Sequence, residues 1–134
     1  MNLFIDTGVW SLALRRDSQD PSAEVSTLAR ALEAGEPVFS TGLVLQELLQ
    51  GFHGPRARDR IVERFAALPF LVPDREDHVA AAALRNSCRR RGVRIGTIDA
   101  LLAQLCIRHD LTMLTTDGDF ARLAEHQPLN LWRG

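Results

Sequence analysis

Asp6, Glu47, Asp99 and Asp117 each stand where an apolar segment ends or where a helix is expected to begin or run. Asp6 follows Leu3-Phe4-Ile5. Asp117 follows Leu111-Thr112-Met113-Leu114 after two threonines, Asp99 opens Ala100-Leu101-Leu102, and Glu47 lies within the apolar run from Leu43 to Leu49. A carboxylate beside a segment bound for the interior is costly to bury unless its charge is compensated. A hard divalent cation compensates several carboxylates together, because Mg²⁺ and Mn²⁺ prefer carboxylate oxygen and water. The chemistry such a set supports is phosphodiester hydrolysis. One ion lowers the pKa of a bound water, and a pair roughly 3.5–4 Å apart also absorbs charge on the leaving oxygen. Without a cation the same acids would repel one another and retain protons.

Taken singly, each acid has an ordinary explanation. Asp6-Thr7-Gly8 and Thr116-Asp117-Gly118-Asp119 suit turns. Asp99 complements the positive end of a helix dipole, worth about 0.3–1 kcal/mol, and Glu47 can face water. The order of the acids along the expected elements is what favours a shared site.

Those elements follow from patterning. Leu3-Phe4-Ile5 lacks polar alternation, as expected of a strand in a parallel sheet covered on both faces. Pro21 and Ser22 offer a helix start, with Val25, Leu28, Ala29 and Leu32 at helical spacing until Gly35. Pro37 to Ser40 reads as a second strand. Thr41 is placed to cap a helix ending at Gly51, and Pro55 starts another that buries Ile61, Phe65 and Leu68. Phe70-Leu71-Val72 reads as a third strand. Asp74 caps a helix expected to turn Val79, Ala80, Ala83 and Leu84 inward and to stop at Gly92. Thr97 caps one more, through Leu101, Leu102, Leu105 and Cys106. Leu111 to Leu114 and Leu129 to Trp132 complete the strands. Alternating strands and helices predict a right-handed α/β fold, with sites outside the carboxyl ends of the strands. No repeat or linker divides residues 1–134, so one domain is expected.

Composition narrows the function. With 46% hydrophobic and 25% charged residues, this is ordinary globular usage. No apolar run approaches the roughly 20 residues needed to cross a bilayer. The start also lacks a signal-peptide pattern, so a cytoplasmic protein with no membrane partner is expected. Cys88 and Cys106 belong to no C-x-x-C pattern and are expected to be buried reduced thiols. His53, His78, His109 and His126 show no zinc-ligand spacing. The net charge of −1 gives no global positive field to attract nucleic acid. All 16 basic residues are arginine. Coding bias accounts for that as well as a need for phosphate-gripping guanidinium forks does.

The succession Phe4-Ile5-Asp6-Thr7, Gln46-Glu47-Leu48-Leu49-Gln50-Gly51, Thr97-Ile98-Asp99-Ala100-Leu101-Leu102-Ala103 and Leu114-Thr115-Thr116-Asp117-Gly118-Asp119-Phe120 resembles the PIN-domain nucleases. Among these it is most similar to the VapC toxins of bacterial toxin–antitoxin pairs. The resemblance implies a PIN-like three-layer α/β fold, with a central, mostly parallel sheet of four or five strands flanked by helices. It implies a metal-dependent endoribonuclease in which Asp6, Glu47, Asp99 and Asp117 hold one or two Mg²⁺ or Mn²⁺ ions. Asp119 is implied as a neighbouring or alternative fourth acid, and Thr7 and Thr116 as hydroxyls that orient carboxylates or water. Gly8 departs from the pattern, since serine or asparagine is commoner there. The implied partners are an RNA substrate such as tRNA or rRNA, a VapB-like antitoxin that blocks the site, and a second copy of the chain.

Arg85, Arg89, Arg90, Arg91 and Arg94 run from the end of one helix into the loop before Asp99. They either answer the helix dipole or cradle an RNA backbone. His53 and Arg56 beside the Glu47 helix are weaker candidates. With no tyrosine, a series of stacked bases on aromatic rings is not expected. Receiver and dehalogenase-like folds also place an aspartate after the first strand, but both need a lysine that this chain lacks. An RNase H-like fold would open with antiparallel strands. The remaining rival is a catalytically idle module that keeps the fold for RNA or protein binding, and it leaves the crowded acids without a use.

Overall fold

The computed structural model describes residues 1–15 and 22–134. Strand β1 (Leu3–Ile5) is buried at all three positions, and because successive side chains point to opposite faces, the sheet is covered on both. On one side β1 pairs in parallel with β2 (Val38–Thr41), Phe4 opposite Phe39. On the other it pairs with β4 (Thr112–Leu114), Ile5 opposite Leu114. Strands β3 (Phe70–Leu71) and β5 (Asn130–Leu131) lie outside β2 and β4. The order is β3-β2-β1-β4-β5 with every pair parallel, the five-strand form of the expected sheet.

Parallel pairing demands helical crossovers, and among the described residues seven helices are available to supply them. They are α1 (Thr7–Leu14), α2 (Ala23–Glu33), α3 (Gly42–Gly51), α4 (Pro55–Ala66), α5 (Arg75–Arg90), α6 (Thr97–Arg108) and α7 (Gly118–Ala124). Helix α4 begins on Pro55 and turns Ile61 and Phe65 inward, as its spacing predicts. Ser22 caps α2 by accepting from the Val25 amide at 3.2 Å. Pro21, expected beside it, lies outside the described residues. Gly35 and Gly92 follow the ends of α2 and α5 with φ of 69° and 75°, a left-handed turn that glycine adopts without strain.

Several local expectations need correction. Helix α5 buries Asp77, Ala81, Leu84 and Cys88, whereas Val79 is 61% exposed and Ala83 also faces water. The inward stripe is set by Asp77, a polar residue that hydrophobic spacing overlooks. Asp74 and Asp77 form a reciprocal capping box, and Arg108 at the end of α6 donates to both, at 3.1 and 2.7 Å. Burial opposes ionisation of Asp77, yet these bonds and the adjacent guanidinium hold its carboxyl below the usual range. Thr97 is the first residue of α6 rather than its cap; Gly96 occupies that position. Thr41 stands at the N-cap of α3 without donating its side chain to the task. Helices α1 and α7 were not evident from spacing at all.

The chain winds from β1 outward through β2 to β3, then crosses back to place β4 on the other side of β1. The strand order therefore reverses between β1 and β4, and a crevice opens beyond their carboxyl ends, the usual place for a ligand in an open parallel sheet. Asp6 follows β1, and Thr115 to Asp117 follow β4.

Candidate active site

Asp6 is the pivot of that crevice. Its amide donates to the Leu114 carbonyl at 3.0 Å, fixing the end of β1 to the end of β4. Its Oδ1 accepts from the Thr7 amide at 2.8 Å, which makes Asp6 the N-cap of α1. The other oxygen, Oδ2, accepts from Thr115 Oγ1 at 2.8 Å. That hydroxyl also accepts from the Asp117 amide at 3.0 Å, so one threonine spaces the first and last acids. Thr116, expected in an orienting role, is exposed, and the hydroxyl bound to Asp6 is its neighbour's.

The other acids join through short links. Thr7 Oγ1 donates to Glu47 Oε1 at 2.9 Å, drawing the middle of α3 to the start of α1. Asp117 Oδ1 accepts from the Asp119 amide at 2.9 Å and caps α7. Asp119 is ion-paired with Arg122 one turn along that helix. Asp99 sits in the first turn of α6, where the dipole favours a negative charge.

Burial is the first cause that raises the Asp99 carboxyl, and repulsion from Asp6, Asp117, Glu47 and Asp119 adds to it; together they push it up to about 6. Burial likewise raises Asp6, against the hydrogen bonds from Thr115 and Thr7 and with further repulsion from Asp117 and Glu47. Five acids from four separate segments thus lie close enough to act on one another beyond the carboxyl ends of β1 and β4. Cys106 and Cys88 are buried and free, their thiols pushed up by burial, that of Cys106 also by the nearby Asp6. All four histidines are exposed.

Two cavities flank the acids. One, of about 620 Å³, is lined by Arg85, Arg89, Arg94, Gly92 and Gly96, with Asp119 on its rim. Arg90 and Arg91 are exposed and do not line it. The other, of about 420 Å³, lies against Thr115, Thr116 and Asp117 and brings in Glu24, Trp132 and Arg133. Trp132 and Arg133 had no site signal in the sequence; the pairing of β5 with β4 carries them there, with the Trp132 amide donating to the Met113 carbonyl at 2.9 Å. His53 and Arg56 line a separate cavity with Leu14 and Arg60.

The PIN domain family model matches residues 3–126, an interval that contains all five acids and strands β1 to β4. The chain belongs to the PIN-domain family. This PIN domain is 29% identical over 124 residues to the VapC ribonuclease Mb1587 of Mycobacterium bovis and to Ribonuclease VapC11 of Mycobacterium tuberculosis, covering 91% of each partner in both comparisons. Its fold matches that of VapBC2 from Rickettsia felis, crystallised on a DNA fragment from its promoter, with a TM-score of 0.76 and 19% identity over 98% of both chains. It also matches Mycobacterium tuberculosis VapC20, a sarcin–ricin-loop-cleaving toxin, with a TM-score of 0.66 and 19% identity over 90% of this chain and 93% of that one. At such identities the structural likeness speaks for the fold.

Among the described residues, no three histidine, cysteine, aspartate or glutamate side chains stand ready to close on one ion. Oxygens of Asp6, Glu47 and Asp117 are bonded instead to Thr7, Thr115 and the Asp119 amide. The donor set still suits a hard cation. It offers carboxylate oxygen without thiolate or imidazole, and among the described residues its one ion pair is the rim contact of Asp119 with Arg122. A carboxyl held near 6 by burial and by its acidic neighbours is what a cation would relieve.

Proposed function

We propose that this PIN domain is a metal-dependent endoribonuclease, a VapC-type toxin that acts in the cytoplasm and is restrained by a VapB-like antitoxin. The observation that carries the reading is the linkage of Asp6 to Asp117 through the Thr115 hydroxyl and of Glu47 to Thr7 beside them, with Asp99 near enough to feel all three, at the switch point of the sheet. The names of the curated relatives, both ribonucleases, agree with it. Among the described residues no helix is long and apolar enough to cross a membrane.

In this reading Asp6, Glu47, Asp99 and Asp117 would hold one or two Mg²⁺ or Mn²⁺ ions through their carboxylate oxygens. The ion supplies a more acidic bound water and charge absorption at the leaving oxygen. Thr115 keeps Asp6 aimed and sets its spacing from Asp117, Thr7 aims Glu47, and the α6 dipole steadies Asp99 as an anion. Asp119 stands at the rim, kept there by Arg122. The substrate class is RNA, of the tRNA or rRNA kind, and the active species is a homodimer. A catalytically idle module is disfavoured because five mutually repelling acids destabilise a fold that makes no use of them.

The purified protein is expected to cleave RNA internally with Mg²⁺ or Mn²⁺, to stop on chelation, and to be blocked by its antitoxin. Cleavage that persists in excess EDTA would exclude the metal site. Thr115→Val should lower Mn²⁺ affinity and turnover about 10–100-fold, the usual effect of removing a group that orients a metal-bound carboxylate. Calorimetric titration with Mn²⁺ checks this, and Thr116→Val should have the smaller effect.

A further inference from the structure

We infer that the cavity bounded by Arg85, Arg89 and Arg94 is a phosphate subsite that holds an RNA backbone phosphate flanking the one cleaved at the acids. The inference rests on the nuclease reading and adds how the substrate is held. The acid pocket repels a polyanion, and the net charge of −1 offers no global attraction, so a local positive surface must position the strand. This cavity adjoins the pocket through Asp119, one of the acids that raise Asp99.

The helix dipole explains only part of the basic run. Arg89 and Arg90 occupy the last turn of α5 and Arg91 its C-cap, where cations are favoured. Arg94 lies beyond the helix, in the loop before α6, and nothing about the dipole requires it. Arg85 is pinned: its Nε donates to the Ile95 carbonyl at 2.8 Å, bracing that loop and leaving the terminal nitrogens of its fork for the cavity it lines. Among the described residues Arg89 and Arg94 make no ion pair, whereas Arg58, Arg108 and Arg122 do. Gly92 and Gly96 contribute bare backbone, with open space where a Cβ would stand.

The guanidinium groups of Arg89 and Arg94, with Arg85 braced beside them, line an open cavity and offer the paired donors that phosphate oxygens accept. The cavity on the other side of the acids does not: Glu24 and Asp117 oppose its single Arg133. The strand is therefore held at the α5–α6 turn. Arg89 and Arg94 bind it, and Arg85 positions the loop. Arg90 and Arg91 take no part.

The test is a salt titration of binding and cleavage with total tRNA and ribosomal RNA, using the full chain with Mg²⁺. Arg89→Ala and Arg94→Ala should each raise KM about tenfold, the size of a charge-assisted hydrogen bond, with kcat nearly unchanged. Each should also flatten the slope of log K against log salt by about 0.7, the loss of one phosphate contact on a single strand. Arg89→Lys should restore the slope, and Arg75→Ala at the far end of α5 should behave as the parent. A parent whose RNA binding and cleavage are normal, with unchanged slope and KM in both alanine variants, overturns this proposal alone. A parent that binds no RNA overturns the nuclease reading and this proposal with it. Loss of antitoxin binding in the variants, with RNA handling intact, assigns the cavity to the protein partner and also overturns it.

Discussion

Asp99→Asn is expected to lower kcat/KM for RNA by about a thousandfold or more, because it removes a charged oxygen from the metal-holding set. The same substitution is expected to raise the melting temperature of the metal-free protein. Burial and the four surrounding acids raise this carboxyl from 3.8 to about 6, so at neutral pH its charge is held against a gradient. A shift of that size corresponds to about 3 kcal/mol, and screening at a pocket open to solvent reduces the gain to about 1 kcal/mol, a few degrees in melting temperature. Loss of activity together with a gain in stability separates a functional acid from a structural one. An amide variant that melts earlier than the parent, or that cleaves RNA like it, would show that Asp99 is an ordinary helix-start residue. Parallel measurements of scanning calorimetry and RNA cleavage decide the matter.

The sheet and the acids were legible because both rest on short-range signals. Leu3-Phe4-Ile5 reads as a strand covered on both faces, and Asp6 at its end follows from that. What escaped was helix α1. Thr7 to Leu14 is largely apolar, with only Thr7 and Ser11 polar, so its period is weak, and Asp6-Thr7-Gly8 reads equally well as a turn. The capping bond from the Thr7 amide to Asp6 decides between them, and that bond exists only because β4 holds Asp6 in place through Leu114. Helix α7 is seven residues, too short for a repeat to show. The choice of Thr115 over Thr116 depends on which of two adjacent hydroxyls points back towards β1, a matter of register between β1 and β4. Val79 was misplaced because an inward aspartate, Asp77, shares its helix and sets the stripe. Apart from the short α7, the missing information was a contact between distant segments, which local spacing does not encode.

Acid titration of the pocket gives the remaining prediction its sign. An aspartate whose carboxyl is raised in the folded state binds more protons folded than unfolded between its ordinary value of 3.8 and about 6. Stability therefore falls as pH rises through that window and stays reduced above it. Asp6, also raised, acts in the same direction. Asp77, lowered by Arg108, acts oppositely: it stabilises above the ordinary carboxylate range, and that contribution is lost as pH falls through its folded value. The difference in melting temperature between Asp99→Asn and the parent isolates the first group, and it should grow from near zero at pH about 4 to its full size above pH about 6. Metal reverses the balance. Mg²⁺ or Mn²⁺ must displace the proton on Asp99, so a saturating ion should stabilise the parent by about 2.7 kcal/mol at a hundredfold excess over Kd near neutral pH, and by much less at pH about 5. The same additions should leave Asp99→Asn almost unmoved at either pH. Thermal melts across pH with and without EDTA supply the comparison. A metal shift of equal size at both ends of the range would mean that cations bind elsewhere on the molecule, because a site that includes Asp99 cannot avoid competing with its proton.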